Sequence, residues 1–259
     1  MDYQIKDKKI LLVGCTGILG SEFTKYLYDN GGILILADLN SKKFSSFKKK
    51  YPNAFFISCD VSKEKNIVNL KQKIKKRFRN LDSIIFNVGL TSRMSQTKKN
   101  PFSNFEKYSL KSWNETITTN LTGAFLLSKH TISFLKKNKG SLIFVSSIYG
   151  LVGPDNRIYS SQKFKTLSSY SASKAGLLGL SKWLATSYAK DNIRVNTIVP
   201  GGIKADQNKL FIRKYSERVP MKRMGGKNEV NGILSYLIGE KSTYVTGQEF
   251  VIDGGLTAW

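Results

Sequence analysis

The chain has 259 residues, 41% hydrophobic and 23% charged, enough for one large domain or two small ones. No apolar run approaches the roughly 20 residues of a membrane helix, and the N-terminal "MDYQIKDKK" has no apolar core of the signal-peptide kind, so a soluble, cytoplasmic protein is expected. The net charge of +24, from 42 basic and 18 acidic residues, raises the question of a polyanionic partner, but no nucleic-acid motif accompanies it.

In chain order, short β-rich runs alternate with amphipathic segments. "KILLV" (9–13), "ILILAD" (33–38), "AFFIS" (54–58), "DSIIFN" (82–87), "SLIFVS" (141–146), "IRVNTIV" (193–199) and "EFVID" (249–253) read as strands. Most are continuous apolar runs, as in strands covered on both faces. Helical segments are expected at 18–29, 62–79, 112–137 and 171–189. In the second, Ile67, Leu70, Ile74 and Phe78 recur at helical spacing, which leaves the lysines of "KQKIKKRFR" on the solvent face. A further lysine cluster, "KKFSSFKKK" (42–50), also falls on a predicted helix. The alternation predicts an α/β fold: one doubly wound parallel sheet, Rossmann-like, with helices on both faces and a single domain over 1–259. Long connections at about 90–111 and 150–169, and the stretch 202–226, fall beyond C-terminal strand ends, where open α/β sheets bind ligands.

The first strand runs into "GCTGILG", with Gly14, Gly17 and Gly20 before a helix. Glycines there allow a tight turn and bring backbone amides, with the helix N-terminus, against a pyrophosphate. Asp38 ends the second strand. A carboxylate there accepts from both ribose hydroxyls and repels a 2′-phosphate, favouring NAD over NADP; Lys42 and Lys43 nearby weaken that preference, and a turn role for Asp38 is the alternative. "CDV" (59–61) and "NVG" (87–89) end the third and fourth strands at the same edge. Cys15 and Cys59 are isolated and His130 is the only histidine, so no metal site is expected.

Taken in order, "GCTGILG", Asp38, "DV" (60–61), "NVG", "TTNLTGAF" (118–125), "FVSSIYG" (144–150), "YSASK" (170–174), "IRVNTIVPGG" (193–202) and "YVTGQEFVIDGG" (244–255) resemble the short-chain dehydrogenase/reductase family over nearly the whole chain. The ending "DGGLTAW" and "YGLVGPDNRIY" are similar to oxidoreductases of bacterial flagellin-glycan and legionaminic acid pathways. The resemblance implies nicotinamide chemistry on a secondary alcohol or ketone, with a sugar, sugar acid or sugar phosphate as substrate, and a homo-oligomer, tetramer or dimer. A 3-oxoacyl-thioester reductase and a non-catalytic nucleotide-binding scaffold are the alternatives. It implies a cofactor held by Gly14, Thr16, Gly17, Ile18, Leu19, Gly20, Asp38, Asp60, Val61, Asn87, Val88, Gly89, Tyr170, Lys174, Pro200, Gly201 and Ile203. Three departures stand out: Ile18 replaces the usual second glycine of the phosphate loop, Val88 makes "NAG" into "NVG", and Ala205 falls where a threonine often meets the carboxamide.

"RIYSSQKFKTLSSYSASKAG" (157–176) pairs a tyrosine with a lysine twice, Tyr159 with Lys163 and Tyr170 with Lys174. At i and i+4 on a helix each pair shares a face, and a cation beside a phenol lowers the phenol's pKa. The serine-to-tyrosine gap usual in the family that the chain resembles, counted from Ser147, favours Tyr159. The unbroken helical pattern from 171, with Leu177, Leu180 or Ser181, and Leu184 on one stripe and small residues Ala172, Ala175, Gly176 and Gly179 for close packing, favours Tyr170. Insertions sit better in loops than in helices, so Tyr170 and Lys174 are the expected pair, with Ser147 and Asn120 completing the catalytic set. Arginine is scarce, with eight in the chain. Arg93 and Arg157, with Tyr159, are therefore candidate substrate contacts for an anionic small molecule.

Overall fold

The structure is a computed structural model that describes residues 5–91, 105–159 and 166–259. Seven parallel strands form one sheet in the order β3-β2-β1-β4-β5-β6-β7: β1 Lys9–Val13, β2 Ile33–Asp38, β3 Phe55–Ser58, β4 Ser83–Phe86, β5 Ser141–Val145, β6 Arg194–Pro200 and β7 Glu249–Ile252. Every predicted strand is present. The helices are α1 Ile18–Asp29, α2 Phe44–Lys50, α3 Glu64–Arg77, α4 Leu110–Ile117, α5 Gly123–Thr131, α6 Ser168–Tyr188, α7 Lys209–Arg218 and α8 Asn231–Ile238.

Strand residues alternate between the two faces, as a pleated backbone requires. Leu11, Val13, Ile35 and Ala37 join one core with Ile67, Leu70 and Ile74 of α3, Leu127 of α5 and Leu177 and Leu184 of α6. Ile10, Leu12, Leu34 and Leu36 join another with Phe23 and Leu27 of α1, Phe44 of α2 and Leu234 and Leu237 of α8. A third, smaller cluster lies off the sheet: Ile148, Ile158, Tyr159, Leu178, Val199, Phe211, Tyr215, Val219 and Met224. It packs the turn after β5 and the segment before α6 against α7. Strand order reverses between β1 and β4, and a crevice opens at their C-terminal ends.

Three elements differ from the sequence reading. The expected helix 112–137 is broken into α4, one π-helical turn at Thr118–Thr122, α5 and a 3-10 turn at Ile132–Leu135. Within 202–226, expected as loop, α7 forms; Asn208 caps it by accepting from the Phe211 amide at 2.8 Å. Its only buried residues, Phe211 and Tyr215, are one turn apart among basic neighbours, too sparse a stripe to read as a helix. On α6, Gly176 does pack closely, since a Cβ there would lie 2.6 Å from Leu121 Cδ2. Ala172, Ala175 and Gly179 instead face outward and are exposed.

Candidate active site

The phosphate-loop glycines divide into two kinds. Gly14 has φ +84°, and a Cβ would come 3.0 Å from the Asn87 carbonyl. At Gly20 a Cβ would fall 2.0 Å from Gly14 O. Both positions require glycine. A Cβ at Gly17 meets nothing closer than 3.6 Å, so Gly17 keeps space open in front of α1. No side chain caps α1 and no acidic residue lies in its first turn. Its N-terminal amides therefore remain available for an anion. Asn87 locks the loop to β4, its Nδ2 donating to Gly14 O at 3.0 Å.

Asp38 has the turn role as well as the position beside the loop. Its carboxylate accepts from the Thr16 amide at 2.8 Å and the Asn40 amide at 3.0 Å. Lys43 donates to Thr16 O at 3.3 Å, placing a cation at the same rim. Asp60 accepts from the Ser62 amide and hydroxyl at 3.1 and 2.6 Å. Val61 is buried against Gly123 of α5, where a Cβ would clash at 2.9 Å. Asp38, Asp60 and Asn87 thus stand at neighbouring strand ends, a cradle that fits an adenosine and pyrophosphate.

The second half of the crevice is built on α6 and the π turn. Asn120 is fully buried. Its Oδ1 accepts from the Leu90 amide at 2.6 Å, and its Nδ2 donates to Leu90 O at 3.2 Å and to Ser173 Oγ at 3.0 Å. The π turn aims this amide at β4's exit, a common place for such irregularities. Lys174 is buried, and its Nζ donates to Val145 O at 2.9 Å and to Val88 O at 3.3 Å. A Cβ on Gly89 would sit 3.4 Å from the same Nζ. Burial pushes the Lys174 pKa down to about 7.

Tyr170 lies one turn before, with Lys174 Nζ 5.7 Å from its ring centroid. Ser147 hydrogen-bonds to the Tyr170 phenol, and its Oγ also accepts from the Tyr149 amide at 3.2 Å. Burial raises the Tyr170 pKa, and the Ser147 bond offsets part of that rise. The expectation that the lysine lowers the phenol is therefore corrected. The ammonium is turned toward two carbonyls and is itself stripped of water, so desolvation of the phenol prevails. A neutral phenol at neutral pH is a proton donor in place.

Tyr159 sits behind these residues. It is buried, its ring 5.4 Å from Phe211. Its hydroxyl accepts from Thr166 at 2.7 Å and lies 2.8 Å from the Tyr149 hydroxyl. Arg157 points outward, 87% exposed, and pairs with Asp155 at 3.0 Å. Arg218 of α7 pairs with the same carboxylate. Arg93 and Lys163 lie outside the described residues.

Residues 16–257 match the family described as "Enoyl-(Acyl carrier protein) reductase". The post-translational flagellin modification protein A of Campylobacter coli is 29% identical, over 97% of this chain and 98% of its own. The 3-oxoacyl-[acyl-carrier-protein] reductase FabG of Buchnera aphidicola is 31% identical over 98% of both. A crystal structure of a short-chain dehydrogenase from Leptospira borgpetersenii with bound NAD+ superposes with a TM-score of 0.86 at 32% identity, covering 97% of this chain and 93% of that one.

The chain belongs to the short-chain dehydrogenase/reductase family. Like its relatives it is an NAD(P)-dependent oxidoreductase that interconverts an alcohol and a ketone. Against the family pattern, Ile18 is half-exposed at the start of α1. At Ala205, where the usual threonine hydroxyl is missing, the backbone amide donates to Gln207 Oε1 at 2.7 Å, and Gln207 Nε2 donates to Ile203 O at 2.9 Å. Pro200 ends β6, and Gly201 follows it beside Asp253, where a Cβ would come 2.8 Å from Asp253 Cα. A cavity of about 90 Å³ opens there, lined by Ile203, Tyr215, Arg223 and Glu229 among others. Sequence reasoning missed Tyr149, Gln207 and Tyr215, and it named Lys43, which the structure places at the Asp38 rim. A tyrosine beside a catalytic serine, as in "FVSSIYG", carries no signal until its hydroxyl partner is known.

Among the described residues no helix is long and apolar enough to cross a membrane, and no group of metal-ligating side chains is present.

Proposed function

We propose that the enzyme prefers NAD and acts on an anionic sugar derivative, with Tyr170 as general acid in reduction and general base in oxidation. The observation that carries this is the Tyr170 phenol, hydrogen-bonded to Ser147 and one helical turn from the buried Lys174 ammonium. A nicotinamide dinucleotide held by the phosphate loop and the strand ends beside it would supply or accept the hydride. Ser147 holds the substrate oxygen, and Tyr170 delivers the proton to it or withdraws it. Lys174 orients the ribose side of the crevice from its two carbonyl anchors. Asn120 holds Leu90 by its amide and carbonyl, fixing the wall opposite. Gly14, Thr16, Gly17, Ile18, Leu19 and Gly20 form the phosphate loop. Asp38 takes the ribose hydroxyls, Asp60, Val61, Asn87, Val88 and Gly89 line the adenosine side, and Pro200, Gly201 and Ile203 line the nicotinamide side.

Charge at the substrate end supports the anion. Arg157 and Arg218 share one carboxylate, Asp155, which leaves a surplus positive charge beside the third cluster, within a chain of net charge +24. Assembly into a homo-oligomer is supported by α6, whose outer stripe of Ala172, Ala175, Gly179 and Trp183 is exposed, Trp183 by 64%. Small residues in such a row allow another helix to approach. A reducing, cytoplasmic setting agrees with two unpaired thiols, Cys15 and Cys59.

The test is a panel of sugars, sugar phosphates, sugar acids and a 3-oxoacyl thioester with NAD and NADP, read at the nicotinamide absorbance. Asp38→Ala should narrow the NAD-over-NADP ratio, and Arg157→Ala should raise KM for acidic sugars. Preference for the thioester, or an unchanged KM in Arg157→Ala, would sink the anionic-sugar reading.

A further inference from the structure

The third cluster contains a chain of hydroxyl groups that the reaction described above does not use. Thr166 donates to the Tyr159 hydroxyl, and Tyr159 is buried. A buried hydroxyl proton needs an acceptor. Among the described residues, the neighbour within reach of the Tyr159 hydroxyl, besides its own donor, is the Tyr149 hydroxyl. With Tyr149 as that acceptor, the order of donation is Thr166 to Tyr159 to Tyr149. That leaves the Tyr149 proton directed away from Tyr159. Among the described residues Tyr159 is the only hydrogen-bond partner of the Tyr149 hydroxyl.

Tyr149 is also tied to the reacting centre. Its amide donates to Ser147 Oγ, the hydroxyl that bonds the Tyr170 phenol. It is half-buried against the cluster that closes the substrate end. Burial raises its pKa, with the phenols of Tyr159, Tyr215 and Tyr170 adding to the rise, so it stays a neutral donor.

We infer that Tyr149 is a substrate-binding residue that gives the site a preference for vicinal diols and the corresponding α-hydroxy ketones. Ser147 and Tyr170 hold the oxygen that reacts, and the Tyr149 phenol donates to the oxygen on the adjacent carbon. Tyr159 and Thr166 are positioning residues that set the direction of that donor. The inference rests on Tyr170 being the proton-transfer residue. It gives the first tyrosine of the doubled pattern a role through its hydroxyl and not through a lysine.

The experiment uses the full chain with trans-cyclohexane-1,2-diol and cyclohexanol as probes. Turnover with NAD+ is measured, together with calorimetric binding of each alcohol to the NAD+ complex of Tyr170→Phe. Wild type should favour the diol at least tenfold in kcat/KM, and the Tyr170→Phe complex should bind it more tightly. Tyr149→Phe should cut the diol-to-alcohol ratio at least fivefold. Tyr159→Phe should move the ratio the same way by a smaller factor, and Thr166→Val by a smaller factor again. If Tyr149→Phe leaves the ratio unchanged, or every variant loses both alcohols in parallel, the inference fails. If wild type does not distinguish the two probes in turnover or in binding, it also fails. Turnover by Tyr170→Phe at the wild-type rate would instead overturn the acid–base assignment, with the diol ratio still read separately.

Discussion

Tyr159 and Tyr170 lie on the same short stretch, yet their surroundings set them apart. Tyr170 stands on the first turn of a long helix whose next turn brings a buried ammonium to its ring. Tyr159 ends a 3-10 turn and is enclosed by Phe211 and Tyr149. One phenol faces the crevice through Ser147, and the other faces inward as a link in a hydroxyl chain. A tyrosine's task is decided by what its oxygen meets, and a four-residue spacing to lysine does not reveal that.

The sharpest way to break the contrast is Tyr170→Phe. Loss of the proton donor should lower kcat by roughly 10²- to 10⁴-fold while NADH binding, read by its fluorescence, persists. A comparable loss in Tyr159→Phe would reverse the assignment. Next in size is a pair of loop changes. Gly20→Ala, with its Cβ forced against Gly14 O, should destabilise by about 3 kcal/mol in urea unfolding, whereas Gly17→Ala should fold normally.

Lys174 gives a smaller effect with a defined sign. Its folded pKa is lowered to about 7 from an ordinary value of 10.5, so the unfolded chain binds more protons between those values. This group's contribution to stability is full above about pH 10.5 and is lost as the pH falls through about 7. Lys174→Met should flatten that slope in thermal melts between pH 7 and 9. Last, Tyr159→Phe removes one buried hydrogen-bonding group and should cost about 1 kcal/mol, read by urea unfolding.

The sheet was legible because parallel strands covered on both faces must be nearly continuous apolar runs. The start of α6 was legible because Leu177, Ser181 and Leu184 keep a single stripe. The phosphate loop was legible in outline, but only coordinates separate Gly14 and Gly20, which sterics require, from Gly17, which they do not. Helix α7 was hidden because two aromatic residues carry its whole buried face. The phenol's raised pKa was hidden because it comes from burial, which only the packed crevice sets. The hydroxyl chain was hidden for the same reason: Thr166, Tyr159 and Tyr149 meet only after β5 and α6 have packed.

The π turn at Thr118–Thr122 has a consequence for chain length. It holds one residue more than an α-helical turn would, and each residue of an α-helix advances the azimuth by about 100°. Deleting a single residue there would restore regular winding and leave α5 near its present phase relative to α4, because the π turn already absorbs the extra residue. Ala124 and Leu127 would stay in the core, and Asn120 would lose its place against Leu90. The segment is thus an inserted bulge whose one extra residue serves Asn120 and not the core. It tolerates substitutions at its partly exposed positions far better than any change in residue count, and a one-residue deletion should be more damaging to turnover there than in the loop around Gly153, where a Cβ meets nothing within 4 Å.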